Sequence, residues 1–286
     1  MTRQNIFEIL KEKYNVSDEM NKIKNIFEND LIVFDNDYDT IIKYSIEDFF
    51  DEYLLENWKQ RGCFLSIKEM STQLNLPHKF FKVTSNKNII MTLEYYHNIF
   101  YLIVEKFRIF HNQDFKTSKN FRLMLENSHL LLEYLNYKII IDRNEEKLFL
   151  IPKNPAATTV AEISSEDTAL AILKYNHASM KGDLEGKRNL LFSIYREYEP
   201  LLKQPIEGYA DFYNKARGLY NTLDIRHNNK TKEGNKNNVI DISDEELEKW
   251  YDELYQLLLF CVLIKDNLER KKEVDEFLKS IKGVKA

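Results

Sequence analysis

Apolar residues recur at three- and four-residue steps along most of the chain, which is the spacing of one face of an α-helix. A clear early case starts at Ser45, after which large apolar side chains return at this step as far as Trp58. The pattern predicts a mainly α-helical fold of about eleven helices. The predicted helices cover residues 3–28 (two short helices broken near Asn15), 45–61, 66–75, 90–110, 118–135, 164–178, 183–203, 207–223 and a final helix from 243 onwards.

Polar residues at the predicted helix starts support several of these boundaries. Ser66 and Glu69 have the spacing of a capping box, in which two side chains satisfy free backbone amides of the first turn. Ser243 and Glu246 repeat this spacing at the start of the last helix. Ser17 is the expected N-cap of the second short helix. The apolar stripe of the last helix comprises Leu247, Trp250, Tyr251, Leu254, Leu258, Cys261, Ile264 and Leu268.

The pattern changes once, between Tyr137 and Pro152. Two β-branched runs flank a polar centre there, which is typical of a hairpin of two short strands. An isolated hairpin is unstable in water, so we expect it to pack on helices. Residues 152–159 are expected to form a connector. The predicted organisation is therefore an N-terminal helical domain (1–136), the hairpin and connector (137–159) and a C-terminal helical bundle (160–286).

The composition agrees with a globular helical protein. Hydrophobic residues make up 43% of the chain and charged residues 30%, which excludes the disordered class. Seven glycines and five prolines are too few for an all-β fold with many tight turns. The two cysteines, Cys63 and Cys261, are far apart in the sequence. We expect both to be small buried residues in a reducing compartment.

No segment carries a signal for export or membrane insertion. The N-terminal residues lack the continuous apolar stretch of a signal peptide, and no run approaches the roughly 20 apolar residues that span a bilayer. We therefore expect a cytoplasmic protein without membrane contact. The net charge of −5 provides no overall basic field, so any contact with nucleic acid must come from a local patch.

The polar loop between the last two predicted helices offers the one chemical lead. Residues 226–238 contain four basic residues and one acidic residue, a local charge of +3. Arg226 can bind a phosphate through two parallel hydrogen bonds, and His227 can exchange protons near neutral pH. Such a pair can cleave RNA without a metal, because the imidazole moves a proton while the guanidinium stabilises the charge on phosphorus. The further candidate phosphate contacts are Asn228, Asn229, Lys230, Lys232 and Lys236.

A structural role for the same loop stays open. Arg226 and His227 can fix the loop through hydrogen bonds to helix ends, which leaves the Asn-rich remainder solvated. The basic loop can also pair with acidic residues at the start of the next helix, which are Asp241, Asp244, Glu245 and Glu246.

Residues 160–281, in which a loop bearing Arg226-His227-Asn228-Asn229 joins two long helices, resemble the HEPN superfamily and, more narrowly, its abortive-infection proteins. The resemblance implies a helical bundle, often dimeric, that acts in phage defence or in toxin–antitoxin systems. Its members are metal-independent ribonucleases or non-catalytic binding modules. The family's nuclease pattern places a histidine shortly after its arginine, at positions that here hold Thr231, Lys232 and Glu233. Arg226 therefore carries over as a phosphate ligand, and His227 lies out of register.

Other candidate motifs favour structural interpretations. Residues 66–81 have the outline of the start of a helix-turn-helix, but their continuation is short and apolar and the preceding helix is acidic. His97 and His129 lie in apolar helical runs and are expected to be partly buried and hydrogen-bonded. Carboxylates over 48–52 and 241–252 are expected on solvated helix faces. No histidine spacing indicates a metal and no glycine-rich motif indicates a nucleotide, so neither a metal nor a cofactor is expected.

Two functions from different classes follow from these patterns. In the first, which the HEPN resemblance implies, an abortive-infection-type protein binds RNA, or both binds and cleaves it, through the Arg226 loop, and a homodimer brings two such loops over one RNA strand. In the second, a non-catalytic helical subunit holds protein partners in a multiprotein bacterial defence complex. The high aromatic content suits such contacts between proteins.

Overall fold

The computed structural model describes residues 14–29, 31–35, 41–58, 61–73, 76, 83–111, 116–117, 119–223, 225 and 242–283. The chain divides into two compact units, Met1–Leu150 (unit 1) and Ile151–Ala286 (unit 2). This division falls inside the predicted segment 137–159. Each unit contains a buried apolar cluster of its own.

The fold is mainly α-helical, as predicted. Within the described residues no helix is both long and apolar enough to cross a membrane. The described α-helices are α1 (Val16–Asn29), α2 (Ile46–Tyr53), α3 (Ile67–Gln73), α4 (Asn86–His111), α5 (Lys119–Tyr134), α6 (Pro155–Glu162), α7 (Glu166–Tyr175), α8 (Leu184–Leu202), α9 (Ala210–Thr222) and α10 (Asp244–Gly283).

Unit 1 contains a three-stranded antiparallel sheet that the sequence patterns did not predict. Its central strand, β1 (Leu31–Asp35), pairs with β2 (Ile41–Ser45) on one side and with β3 (Lys116–Thr117) on the other. The prediction of one hairpin as the only β-structure was therefore wrong. β3 lies between α4 and α5, so this pairing joins distant parts of the chain that no local pattern connects.

The helix predicted over 45–61 was wrong in its second half. Ser45 caps α2, because its hydroxyl accepts a hydrogen bond from the Asp48 amide at 3.1 Å. α2 then ends at Tyr53, and a 3₁₀ turn at Leu55–Asn57 follows. The turn lets Trp58 pack edge-on against Phe50, with ring centroids 5.5 Å apart. The helix therefore ends at Tyr53 although the apolar spacing continues to Trp58.

Two polar side chains near these helices have different roles from those predicted. Asn15, rather than Ser17, caps α1, because its side-chain oxygen accepts from the Ser17 amide at 2.9 Å and the Asp18 amide at 3.1 Å. The Ser17 hydroxyl instead donates to the Val83 carbonyl at 2.5 Å. Asp51, expected to be solvated, accepts from the Ile67 amide at 2.8 Å. Ser17 and Asp51 therefore both hydrogen-bond to a backbone group that is distant in sequence.

The predicted hairpin is confirmed as β4 (Tyr137–Asp142) and β5 (Lys147–Pro152), and it packs on α4. The Asn98 side chain donates to the Leu148 carbonyl at 2.9 Å and accepts from the Leu148 amide at 2.8 Å. Glu94 accepts from the Leu150 amide at 2.7 Å. Two polar side chains of α4 thus hydrogen-bond with the outer backbone groups of β5. The expectation that the hairpin packs on a helix is confirmed.

The predictions for cysteines and histidines had mixed outcomes. Cys261 is fully buried and His97 is 5% exposed, as expected. Cys63 is exposed because it lies in the turn before α3. His129 is also exposed, because it lies on the outer face of α5 while its neighbour Ser128 faces the core. The burial predictions for Cys63 and His129 were therefore wrong.

Unit 2 begins with a helix where a connector was predicted. The Asn154 side chain accepts from the Ala157 amide at 3.1 Å and Pro155 occupies the first turn, so α6 starts here and residues 155–159 are helical. At the other end of the unit, Ser243 caps α10 as predicted, with its hydroxyl 3.2 Å from the Glu246 amide.

The predicted stripe of α10 forms part of the core of unit 2. Its residues are buried or half-buried, with the deepest at Leu254, Leu258 and Cys261. The Tyr213 hydroxyl of α9 donates to the Cys261 carbonyl at 3.0 Å. Tyr195 of α8 stacks on Tyr220 of α9, with ring centroids 3.4 Å apart. These contacts join α8, α9 and α10 in one bundle.

Candidate functional site

The site predicted from the sequence lies outside the described residues. This applies to Arg226 and His227, to the further candidates Asn228 and Asn229, and to the three loop lysines Lys230, Lys232 and Lys236. The structure does describe where the chain enters and leaves this segment. On the N-terminal side Ile225 is 1% exposed within the core of unit 2. On the C-terminal side the chain resumes at residue 242 and enters α10.

The first turns of α10 belong to a polar network centred on Lys187 of α8. Lys187 is only 5% exposed. Its ammonium lies 2.9 Å from a carboxylate oxygen of Glu248 and 2.6 Å from one of Asp252. These acids are four residues apart, so they project from the same face of α10. One buried cation therefore links the first turn of α8 to two successive turns of α10.

Each carboxylate also accepts a second hydrogen bond. The Gly182 amide donates to Glu248 at 2.8 Å, and the Tyr175 hydroxyl donates to Asp252 at 2.9 Å. Gly182 has φ +81°, a left-handed conformation that glycine adopts without strain, and the chain turns there into α8. The end of α7, the turn and the start of α10 therefore meet at the same two acids.

A pair of stacked tyrosines forms the floor of this network. The rings of Tyr175 and Tyr255 lie 4.1 Å apart at an interplanar angle of 12°. The Tyr255 hydroxyl donates to the Ile172 carbonyl at 2.8 Å and accepts from the Asn176 side chain at 2.7 Å. The Lys187 ammonium lies 5.4 Å from the centroid of the Tyr175 ring, within the range of a cation–π contact.

The surroundings set the protonation of the network. Burial, and next the negative charge of Asp252, raise the pKa of Tyr175, so this phenol stays protonated and donates. The Gly182 amide, and next the Lys187 ammonium, lower the pKa of Glu248, which keeps this carboxylate ionised. Both effects favour the charge pattern that the observed hydrogen bonds require.

Above the network lies an open cleft with a volume of about 630 Å³. Its rim carries two further acids, Glu245 and Glu253, and two further lysines, Lys181 and Lys249. With Lys187, Glu248 and Asp252 included, the lining has four acids and three lysines. With one more acid than lysine, this lining provides no positive field that would attract a polyanion such as RNA. Because Glu248, Asp252 and Lys187 hold one another, the arrangement suits bracing of the helices better than acid–base catalysis.

The network was missed at the sequence level although a signal existed. Lys187 occupies the apolar stripe of α8, four residues before Leu191 and eight before Tyr195, where an unpaired charge would be costly. Its partners follow 61 and 65 residues later, as Glu248 and Asp252. The stripe indicates that Lys187 needs an acidic partner, but only the fold identifies that partner. The expectation that 241–252 form a solvated face was wrong for Glu248, whose side chain is 20% exposed, whereas the Asp252 side chain is 51% exposed.

Unit 1 holds a serine–histidine contact that we exclude as a catalytic pair. The Ser128 hydroxyl lies 3.1 Å from Nε2 of His97 and donates to the Leu125 carbonyl at 2.7 Å. The Ser128 hydroxyl therefore bonds to a carbonyl of its own helix as well as to His97. Both side chains are buried, which leaves no access for a substrate. The predicted core role of His97 is confirmed.

Histidine, cysteine and carboxylate side chains within the described ranges form no group of three that could hold a metal ion. The helix-turn-helix outline continues beyond α3 into residues 77–81, outside the described residues. No protein-family model, curated protein or solved structure matches the chain.

Proposed function

We propose that this protein is an abortive-infection-type defence protein that binds RNA, and cleaves it without a metal, through the loop at 226–238. The observation that carries the proposal is the attachment of this loop, which bears a charge of +3, to two well-held points of one helical bundle. A basic loop between fixed points loses less conformational entropy when it binds a polyanion than a free tail does.

The N-terminal attachment favours Arg226 as the leading phosphate ligand. Leu223 and Ile225 are 4% and 1% exposed, so the chain enters the loop directly from the packed core. Arg226 is the next residue in the chain. A guanidinium close to a fixed point can present its two parallel hydrogen bonds to a phosphate at a low entropic cost.

The charges of the described cleft favour the loop as the place where RNA binds. The cleft is lined by four acids and three lysines, so it has no excess of positive charge for phosphates. RNA contacts therefore fall on the loop and its lysines. In the chemical step, the ribose 2′-oxygen forms a bond to the adjacent phosphorus and the bond from phosphorus to the 5′-oxygen of the next nucleotide breaks, which leaves a 2′,3′-cyclic phosphate and a 5′-hydroxyl. The His227 imidazole takes the proton of the 2′-hydroxyl and delivers it to the leaving 5′-oxygen, while Arg226 stabilises the negative charge on phosphorus.

The test compares the full-length protein with Arg226→Ala and His227→Ala. Cleavage is measured on total cellular RNA in the presence of EDTA, and affinity on a fluorescent single-stranded RNA over a series of salt concentrations. Arg226→Ala should weaken binding about tenfold and reduce the salt slope by about 0.7, the value for one phosphate contact on a single strand. His227→Ala should abolish cleavage and leave affinity within about twofold.

A matched control is Lys215→Ala, which removes one positive charge from α9, where Lys215 pairs with Asp211 at 2.7 Å. This variant should behave like the wild type. A wild type that neither binds nor cuts RNA would refute the proposal, as would an Arg226→Ala variant that matches the wild type.

A second function, a non-catalytic subunit of a bacterial defence complex, is favoured by one surface feature. Phe212 of α9 and Phe260 of α10 are 37% and 42% exposed, and their rings meet edge-on at 4.9 Å. Paired exposed aromatics are typical anchors of protein interfaces. Affinity purification from the native host should then recover a stoichiometric partner with the wild type and lose it with Phe212→Ser/Phe260→Ser. Equal recovery with both proteins would exclude this surface.

A further inference from the structure

The two attachments of the 226–241 segment are built differently. On its N-terminal side, Leu223 and Ile225 are buried among apolar side chains. On its C-terminal side, α10 contains no buried residue between Asp244 and Trp250, and its first buried residue is Tyr251. In this stretch only Leu247 and Trp250 pack against the core, and both are half-buried, so polar contacts supply an important part of the hold on the start of α10.

These polar contacts converge on Lys187. Glu248, in the second turn of α10, receives hydrogen bonds from the Lys187 ammonium and from the Gly182 amide. Asp252, one turn later, receives them from Lys187 and from the Tyr175 hydroxyl. Among the described residues Lys187 is the one side chain bonded to both acids, so it is the centre of the network.

We infer that Lys187 is a positioning residue: its bridge to Glu248 and Asp252 braces the start of α10 and thereby sets the C-terminal attachment of the basic loop. The consequence for RNA rests on the proposed function, whereas the brace itself does not. Removing the ammonium leaves two carboxylates four residues apart without their shared cation. The first turns of α10 should then open more often, while the core-packed part from Leu254 to Cys261 stays closed.

Arginine offers a conservative substitute at this position. A guanidinium keeps the positive charge and can bond both carboxylates at once. Methionine keeps most of the length and the apolar stem and removes only the charge. The pair Lys187→Met and Lys187→Arg therefore separates the charge from the packing of the stem. Lys215→Met, at the exposed pair with Asp211, serves as the control for loss of a lysine.

The experiment measures amide hydrogen exchange and RNA binding on the full chain. In Lys187→Met, exchange of the amides at 244–250 should rise about tenfold, with little change at 254–261. Binding to the single-stranded RNA probe should weaken about fivefold with an unchanged salt slope, because Lys187 contacts no phosphate. Lys187→Arg should stay within about twofold of the wild type in both measurements. If Lys187→Met does not fold, Glu248→Gln should raise exchange at 244–250 to a smaller extent, because Lys187 keeps Asp252.

Each result decides a separate point. Unchanged exchange at 244–250 in a folded Lys187→Met or Glu248→Gln variant refutes the brace. Raised exchange with unchanged RNA affinity, in a protein whose Arg226→Ala variant loses binding, refutes the positioning role. A reduced salt slope in Lys187→Met would show direct phosphate contact and also refute it. If Arg226→Ala binds RNA like the wild type, the proposed function fails, while the exchange data still decide the brace.

Discussion

The two units each bury a lysine, and they neutralise it in different ways. Lys24 in unit 1 is 3% exposed and pairs with Glu28, one turn further along α1, at 2.7 Å. Lys187 in unit 2 is 5% exposed and pairs with two acids of another helix. The first pair forms within a single helix, whereas the second exists only when α8 and α10 are packed. The same chemical need thus produces a local contact in one unit and a tertiary brace in the other.

The acids also differ in their access to water. The Glu28 side chain is 13% exposed, compared with 20% for Glu248 and 51% for Asp252. Removing the cation from a carboxylate costs the least free energy when water can hydrate the carboxylate in place of the cation. Removal of Lys24 should therefore destabilise unit 1 more than removal of Lys187 destabilises unit 2, although Lys24 has one acidic partner and Lys187 has two.

The largest effect is expected for Lys24→Met. Glu28 would remain nearly buried without its cation, and the free energy of unfolding of unit 1 should fall by about 3 to 4 kcal/mol. The double variant Lys24→Met/Glu28→Leu removes both charges and should recover to within about 1 kcal/mol of the wild type. Urea unfolding followed by circular dichroism measures both values. A double variant no more stable than the single one would contradict this account of the pair.

The next largest effect is expected at low pH, where protonation of His97 should destabilise unit 1. Burial, and next the neighbouring His129, lower the pKa of His97 from 6.5 to about 4. Because the folded pKa lies below the unfolded one, protons bind the unfolded chain first. The contribution of neutral His97 to the stability of unit 1 is complete above pH 6.5 and is lost as the pH falls towards 4. The free energy of unfolding of unit 1 should fall by about 3 kcal/mol over this pH range.

The check is urea unfolding at several pH values between 7 and 4, with His97→Gln as the variant that lacks this titration. Glu248 supplies the contrast in unit 2, because its pKa is lowered and its contribution persists until the pH falls below the ordinary value of a glutamate. An equal pH dependence in wild type and His97→Gln would remove His97 as the cause.

The smallest of these effects is expected for Lys187→Met. Water can reach Asp252 and in part Glu248, so the free energy of unfolding of unit 2 should fall by only about 2 kcal/mol. Urea unfolding of the variant beside Lys24→Met measures the difference directly. A loss in unit 2 larger than the loss in unit 1 would reverse the comparison and show that solvent does not compensate these acids.

Local features of the sequence predicted much of the fold correctly. The helices α4, α5 and α8 to α10 follow from apolar spacing, and the start of α10 follows from the Ser243 capping box. The hairpin follows from β-branched runs around a polar turn. Each of these features lies within one segment, where periodicity and capping act between near neighbours.

One kind of error arose where a distant partner competes with a local pattern: Ser17 does not cap α1 because its hydroxyl bonds to Val83. Another arose within one segment, where α2 ends at Tyr53 and the 3₁₀ turn after it accompanies the packing of Trp58 on Phe50. The β1–β3 pairing was missed because β3 joins β1 from the far end of α4, whereas the β1–β2 pairing lies within residues 31–45 and was missed although it is local. Of the candidate site, the sequence predicts the basic loop and Arg226, but not the network that holds the next helix.

By itself, therefore, the sequence determined the mainly helical class, the hairpin, most helix boundaries and the position of the charged loop, because these depend on contacts a few residues apart. The tertiary structure alone decided which helices share a core, which strands pair and which acids neutralise Lys187. Those choices join residues separated by 61 to 83 positions, as for Lys187 with Glu248 and Val33 with Lys116, and no periodicity along the chain encodes such a distance.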